Sequence, residues 1–132
     1  MTQQANARRF LRPLTPLYRA ALALRELRLR SGIEPVRRLK LPVISVGSLS
    51  AGGSGKTPLT IALTKALNER GIHVDVLSRG YGRSSKEALR VDPDGAAEEF
   101  GDEPLLIARE SGVPVYVAAQ RYEAGLMAAS AI

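Results

Sequence analysis

The sequence has no cysteine, no tryptophan, a single histidine (His73), and only two Phe and four Tyr among its 132 residues. Without cysteine there is neither a disulfide framework nor a thiolate metal or redox centre. One histidine excludes a multi-histidine metal cluster within the chain. So few aromatics leave the core to Leu, Val, Ile and Ala. No apolar run reaches the roughly 18–20 residues of a membrane-spanning helix. The start, MTQQANARRF, is followed by no apolar stretch with a small-residue cleavage site, so no secretory signal is expected. Repeats and low-complexity tracts are also missing.

The composition, 45% hydrophobic and 24% charged, is that of a globular protein with one core. The net charge of +6 is unevenly spread. Residues 1–40 hold ten Lys and Arg against Glu26 and Glu34, giving +8, whereas residues 41–132 hold nine against eleven acids, giving −2. The basicity belongs to an N-terminal arm, residues 1–40, and the nearly neutral remainder, residues 41–132, reads as a separate domain. Such an arm seeks anionic partners. In it, residues 17–30 hold good helix formers and no Gly or Pro, and Ser31-Gly32 ends the run. Leu14, Leu17, Tyr18, Ala21, Leu22 and Leu24 share one broad arc of a helical wheel, with Arg19, Glu26 and Arg30 opposite. Arg25 and Arg28 intrude on the apolar arc. Two readings are open: a helix packed on its own domain, or an interfacial helix over residues 10–30 lying on an anionic membrane surface. Nucleic acid is not the expected partner, because the arm has no interleaved aromatics and no reader motif.

The remainder reads as an α/β domain. Residues 41–46 (LPVISV) form a β-branched run expected to be a buried strand. A Gly/Ser loop follows, then a helix over residues 56–70 with apolar positions at Leu59, Leu63, Ala66 and Leu67, ended by Gly71. Residues 72–77 read as a second strand, which implies a right-handed parallel crossover. A long connection over residues 78–100 contains a short strand at 88–91. A helix from Asp102 to about Ser111, a third strand at 113–118 and a final helix at 121–131 complete the pattern.

The loop carries chemistry. Ser50, Ala51, Gly52, Gly53, Ser54, Gly55, Lys56 and Thr57 fit the phosphate-loop pattern G-x-x-x-x-G-K-[ST] at every fixed position except the first, where Ser50 stands for Gly. The strand before and helix after supply the required context. Glycines let backbone N–H groups wrap phosphates, and the helix N-terminus adds partial positive charge. Lys56 brings a full charge to the terminal phosphates of an ATP-like nucleotide, and the Thr57 hydroxyl is a ligand for Mg²⁺. Pro58 in the first helical turn costs little. This pattern identifies a nucleotide site without identifying the reaction.

Three blocks in order, LPVISVGSLSAGGSGKTPLTIALTKAL, VLSRGYGR and VDPDGAAEEFGDEPLLIAR, resemble the tetraacyldisaccharide 4′-kinase (lipid A 4′-kinase) family. The resemblance spans roughly residues 42–121, and a hydroxyl residue at the first loop position is common in that family. It implies a P-loop NTPase-like parallel sheet with flanking helices, preceded by an amphipathic, membrane-associated helix. It also implies ATP- and Mg²⁺-dependent phosphorylation of the 4′-hydroxyl of a lipid A disaccharide precursor, by a peripheral enzyme at the cytoplasmic face of the bacterial inner membrane. No protein partner is implied. Asp102, in the GDEP block, takes the role of activating the acceptor hydroxyl, with Lys56 its catalytic companion on the phosphates. The bland alternative for Asp102 is a helix cap. Arg79 and Tyr81, after the second strand, are substrate-region candidates or part of an ordinary Gly-rich turn. His73 reads as a strand surface residue, and Asp92 and Asp94 as turn residues.

The family's second acidic motif, an Asp-Asp-Gly run that helps hold Mg²⁺, is expected beyond Ile132. The chain is therefore expected to be the N-terminal piece of a longer kinase, inactive alone. Two other readings remain: a different P-loop enzyme, of the metallochaperone GTPase or partition ATPase kind, and a non-catalytic nucleotide-binding piece. The SRGYG and GDEP blocks stand against the first of these.

Overall fold

The computed structural model describes residues 15–33, 35–48, 53 and 55–132. They divide into two compact units, Met1–Arg37 and Arg38–Ile132. In the first, helix α1 (Thr15–Arg30) carries the basic arm. None of its residues is buried, and Leu17, Tyr18, Leu22, Leu24 and Leu27 are exposed. Glu26 and Arg30 pair one turn apart at 2.6 Å, the spacing that places side chains side by side on a helix.

The second unit is α/β. Helix α2 (Lys56–Glu69) is followed by strand β1 (Val76–Ser78), strand β2 (Leu89–Arg90), the single turn α3 (Ala97–Phe100), helix α4 (Asp102–Ser111), strand β3 (Val115–Val117) and helix α5 (Arg121–Ser130). The sheet order is β1-β3-β2. β1 runs parallel to β3, with Val76 opposite Val115, and β2 runs antiparallel to β3, with Leu89 opposite Val117. The sheet is thus small and mixed, where the sequence suggested a parallel one.

The central strand explains the layering. Alternate residues of a strand point to opposite faces. Val115 and Val117 join a core with Leu105, Ile107 and Ala108 of α4, while Tyr116 joins Ala118 and the α5 residues Ala124 and Ala128. All three residues of β3 are buried, as a strand with helices on both faces must be. Phe100 closes one end of the first core. On α5, Gly125 leaves room for the Leu39 side chain, which occupies the space a Cβ would need.

One expectation fails. Residues 41–46 pair with no strand among those described, and Leu41, Val43 and Ile44 are exposed. The predicted crossover from that run into β1 is therefore not formed; the parallel pair is β1 and β3. A β-branched run becomes a strand only where a neighbour takes its backbone hydrogen bonds, and none of the three strands does so here. In α2 the inner face is wider than the apolar positions alone. Leu59 is exposed, but Leu63, Ala66 and Leu67 are half-buried as the pattern predicts, and half-buried Thr57, Thr60 and Ile61 and buried Thr64 join them. Thr60 and Thr64 tolerate that position because their hydroxyls donate to the backbone carbonyls of Lys56 and Thr60, four residues earlier, each at 2.9 Å.

Candidate functional site

Two helix N-termini meet at the centre of the site. Helix α2 begins Lys56-Thr57-Pro58 and α4 begins Asp102-Glu103-Pro104. Each has proline at its third position, where no intrahelical N–H bond is lost. Neither helix has a side-chain cap: Gly55 (φ 71°) precedes α2 and Gly101 (φ 89°) precedes α4. Both first turns therefore keep amide N–H groups unclaimed by side-chain caps, at the positive ends of their helix dipoles. Such a place suits an anion.

Helix α2 packs on α4, and Ile61 rests against the core that holds Leu105, Ile107 and Ala108. This packing brings the two starts into register. The Thr57 hydroxyl donates a 2.6 Å hydrogen bond to Oε1 of Glu103. So short a bond to a carboxylate is charge-assisted.

A third segment joins them. The turn after β1 (Arg79, Gly80, Tyr81, Gly82) lies against Gly101. A Cβ on Gly101 would stand 3.0 Å from the Tyr81 carbonyl oxygen and 3.3 Å from the Gly80 Cα. Gly80 in turn faces the Phe100 carbonyl and the Arg83 side chain. Ser84 ties the same turn to α3, its backbone N–H donating to the Glu98 carbonyl at 2.8 Å. The SRGYG and GDEP blocks, separated in sequence, are one packed junction.

Of the expected site residues, Ser50, Ala51, Gly52 and Ser54 lie outside the described residues, as do residues 10–14 of the arm. Gly53 and Gly55 are exposed, and Lys56 and Thr57 half-buried. Asp102 is exposed and opens α4 as its first helical residue. It makes no capping hydrogen bond, so the cap reading fails and Gly101 takes the boundary position instead. Arg79 and Tyr81 are exposed, with Tyr81 projecting furthest at 86% accessibility. Their turn touches the residue before Asp102, so the structure brings them to the same end of α4.

Asp92 behaves as the turn residue expected: its carboxylate accepts the Asp94 N–H at 3.0 Å. His73 is exposed, 3.5 Å from Oδ1 of Asp75. Glu103 is the site residue the sequence reading passed over. The signal was available only as a carboxylate beside Asp102 at a helix start; its partner, 46 positions away, is set by the packing of α2 on α4.

For a divalent cation the donor set is apt in kind, since a hydroxyl and two neighbouring carboxylates are hard oxygen donors of the sort Mg²⁺ prefers. Among the described residues, no group of three or more acidic or histidine side chains is placed to hold a metal by itself. A shallow depression of about 420 Å³, lined by residues including Arg90, Asp92 and Pro114, shares no residue with this site.

Comparison with known proteins identifies the family. The family model described as tetraacyldisaccharide-1-P 4′-kinase matches residues 7–132. The tetraacyldisaccharide 4′-kinase of Acidovorax sp. (strain JS42) is 50% identical over 113 residues, covering 86% of this chain and 33% of that protein. That of Neisseria meningitidis serogroup B is 44% identical over 115 residues, covering 87% and 33%. Among solved structures, LpxK from Aquifex aeolicus in complex with ATP superposes with a TM-score of 0.81 at 39% identity, over 94% of this chain and 40% of that one. The chain spans about a third of the length of the curated relatives it matches. With its phosphate-loop helix, its SRGYG turn and its GDEP helix start joined as described, and matched nearly end to end, the chain belongs to the tetraacyldisaccharide-1-P 4′-kinase family.

Proposed function

We propose that this chain supplies the nucleotide-binding part of a kinase that transfers the γ-phosphoryl group of ATP to the 4′-hydroxyl of a tetraacyldisaccharide 1-phosphate, a lipid A precursor. One observation carries the reading: the helix that follows the phosphate loop is hydrogen-bonded, Thr57 to Glu103, to the helix that opens with Asp102. That bond holds the start of α2 against the start of α4, which supports a reading in which nucleotide and acceptor carboxylate meet there.

Each residue then has a task. Loop amides and the N-terminus of α2 bind the phosphates, with Lys56 opposing the charge that builds on the transferred group. Asp102 accepts the proton of the 4′-hydroxyl. The hydroxyl oxygen forms its bond to the γ-phosphorus as the bond to the bridging oxygen breaks, and ADP leaves with that electron pair. Mg²⁺, for which Thr57 would be a ligand, would supply charge neutralisation at the phosphates. Arg79 and Tyr81, on the turn beside Gly101, face the sugar or its phosphate.

The arm fits a lipid substrate. Helix α1 has exposed leucines and four arginines against one glutamate, which suits the headgroup layer of an anionic membrane. Among the described residues no helix is long and apolar enough to cross a membrane. A lipid substrate and the need for ATP place the association at the cytoplasmic face of the inner membrane, with α1 as a peripheral contact.

The test compares ATP-dependent phosphorylation of tetraacyldisaccharide 1-phosphate by this chain and by the full-length gene product. Activity is expected in the full-length protein. Lys56→Ala should abolish ATP binding, whereas Asp102→Asn should keep ATP affinity and lower kcat by about 10²–10⁴-fold, the range for a lost general base. A full-length protein that binds GTP in preference to ATP and leaves the lipid unphosphorylated would sink the proposal.

A further inference from the structure

Helix α2 contains three threonines, and they dispose of their hydroxyl protons differently. Thr60 and Thr64 donate to carbonyls one turn back in the same helix. Thr57 cannot copy them within α2, because the residue four positions earlier, Gly53, precedes the helix. It donates instead across to Glu103 on α4, at 2.6 Å. We infer that Glu103 is a positioning residue for the cation-bearing nucleotide: it takes the Thr57 proton, so that the hydroxyl offers its lone pairs to the metal ion bound with the phosphates.

The argument is one of hydrogen-bond capacity. A threonine hydroxyl has one proton and two lone pairs. As a metal ligand it acts through a lone pair, so its proton needs an acceptor elsewhere. A carboxylate accepts without competing as a donor, raises electron density on the hydroxyl oxygen and adds negative charge beside the cation. Partners of this kind behind a metal ligand commonly set metal affinity.

Glu103 is also well anchored for the task. Pro104, next to it, is fully buried, and Leu105 is 3% exposed. On the other side Gly101 is wedged against the Gly80–Tyr81 backbone. The Glu103 side chain is itself at the surface. This role rests on the phosphate-loop reading of Lys56 and Thr57, and extends it to a residue outside the loop.

Charge gives the role a signature that a merely structural contact lacks. With the cation present, Glu103 strengthens nucleotide binding; without it, the same carboxylate repels the phosphates. ATP affinity should therefore be measured with Mg²⁺ and with excess EDTA, in wild type, Glu103→Ala, Glu103→Gln, Thr57→Ala and the double variant. Glu103→Ala is expected to weaken binding about tenfold with Mg²⁺, the lower end for loss of such a partner, and to leave it unchanged or tighter in EDTA. Glu103→Gln keeps an acceptor oxygen and should recover part of the loss. In the Thr57→Ala background Glu103→Ala should add little, because the two act as one unit. Equal weakening with and without Mg²⁺, or additive effects of the two single variants, would overturn the role while leaving the phosphate loop intact. Absence of ATP binding by the wild-type protein would remove the phosphate-loop reading and this role together.

Discussion

Replacing Gly101 by alanine tests the junction on which the site is built. Gly101 has φ 89° and ψ 149°, a region that residues with a Cβ enter only under strain, at a cost of about 1–3 kcal/mol. Space adds to this. The new methyl would stand 3.0 Å from the Tyr81 carbonyl oxygen and 3.3 Å from the Gly80 Cα. Both are backbone atoms and cannot rotate away, so overpacking contributes about 1–3 kcal/mol more. The total, about 4 kcal/mol, is a large share of a small domain's stability. The control sits at the other end of the same helix. Gly112 has φ 68° and ψ 7°, with nothing within 4 Å of an added Cβ, so Gly112→Ala carries only the left-handed penalty of about 1–2 kcal/mol. Urea unfolding of both variants, followed by far-UV circular dichroism, reads the difference. Gly101→Ala should lose at least twice as much as Gly112→Ala. Equal losses, or a Gly101→Ala protein as stable as wild type, would refute the packing of the two turns.

Val117, with none of its surface exposed, should cost about 1–3 kcal/mol as alanine, whereas Val43→Ala, at a 63% exposed position, should stay within about 0.5 kcal/mol; parallel unfolding curves compare them. On the membrane side, Arg25→Gln combined with Arg28→Gln should weaken binding to anionic vesicles by about 2 kcal/mol, roughly thirtyfold. Partitioning that is unchanged, or equal on neutral and anionic vesicles, argues against an interfacial role for α1.

Local signals in the sequence carried much of this structure. The helix from Lys56 and the helix from Asp102 to Ser111 follow from the glycines that flank each run, and the helix from Arg121 from the helix formers within it. The buried third strand follows from its unbroken β-branched and aromatic residues. What failed depends on partners distant in sequence. LPVISV has a strand's composition, but composition cannot state who pairs with it. The inner face of α2 is wider than its apolar positions, because threonines that donate to their own helix are effectively less polar than their side chains suggest. Asp102 was open between cap and catalyst, and only the backbone angles of Gly101 removed the cap. Glu103 was invisible for the same reason: its meaning lies in Thr57, and helix packing makes that contact. The short turn α3 was absorbed into a long connection because four residues give too little periodicity to see.

The contact between Gly80 and Gly101 turns the stretch between them into a closed excursion whose two ends touch. Its length is then decoupled from the position of Asp102. An insertion at an exposed turn such as Asp92–Asp94 enlarges the excursion but leaves its mouth in place, and loop-closure entropy grows only slowly with such additions. A single methyl at the mouth, by contrast, shifts the first turn of α4 directly. The region should accordingly tolerate changes in size far better than changes in its two glycines, which makes the excursion a natural place for the protein to vary, or to be tagged, without disturbing the start of α4.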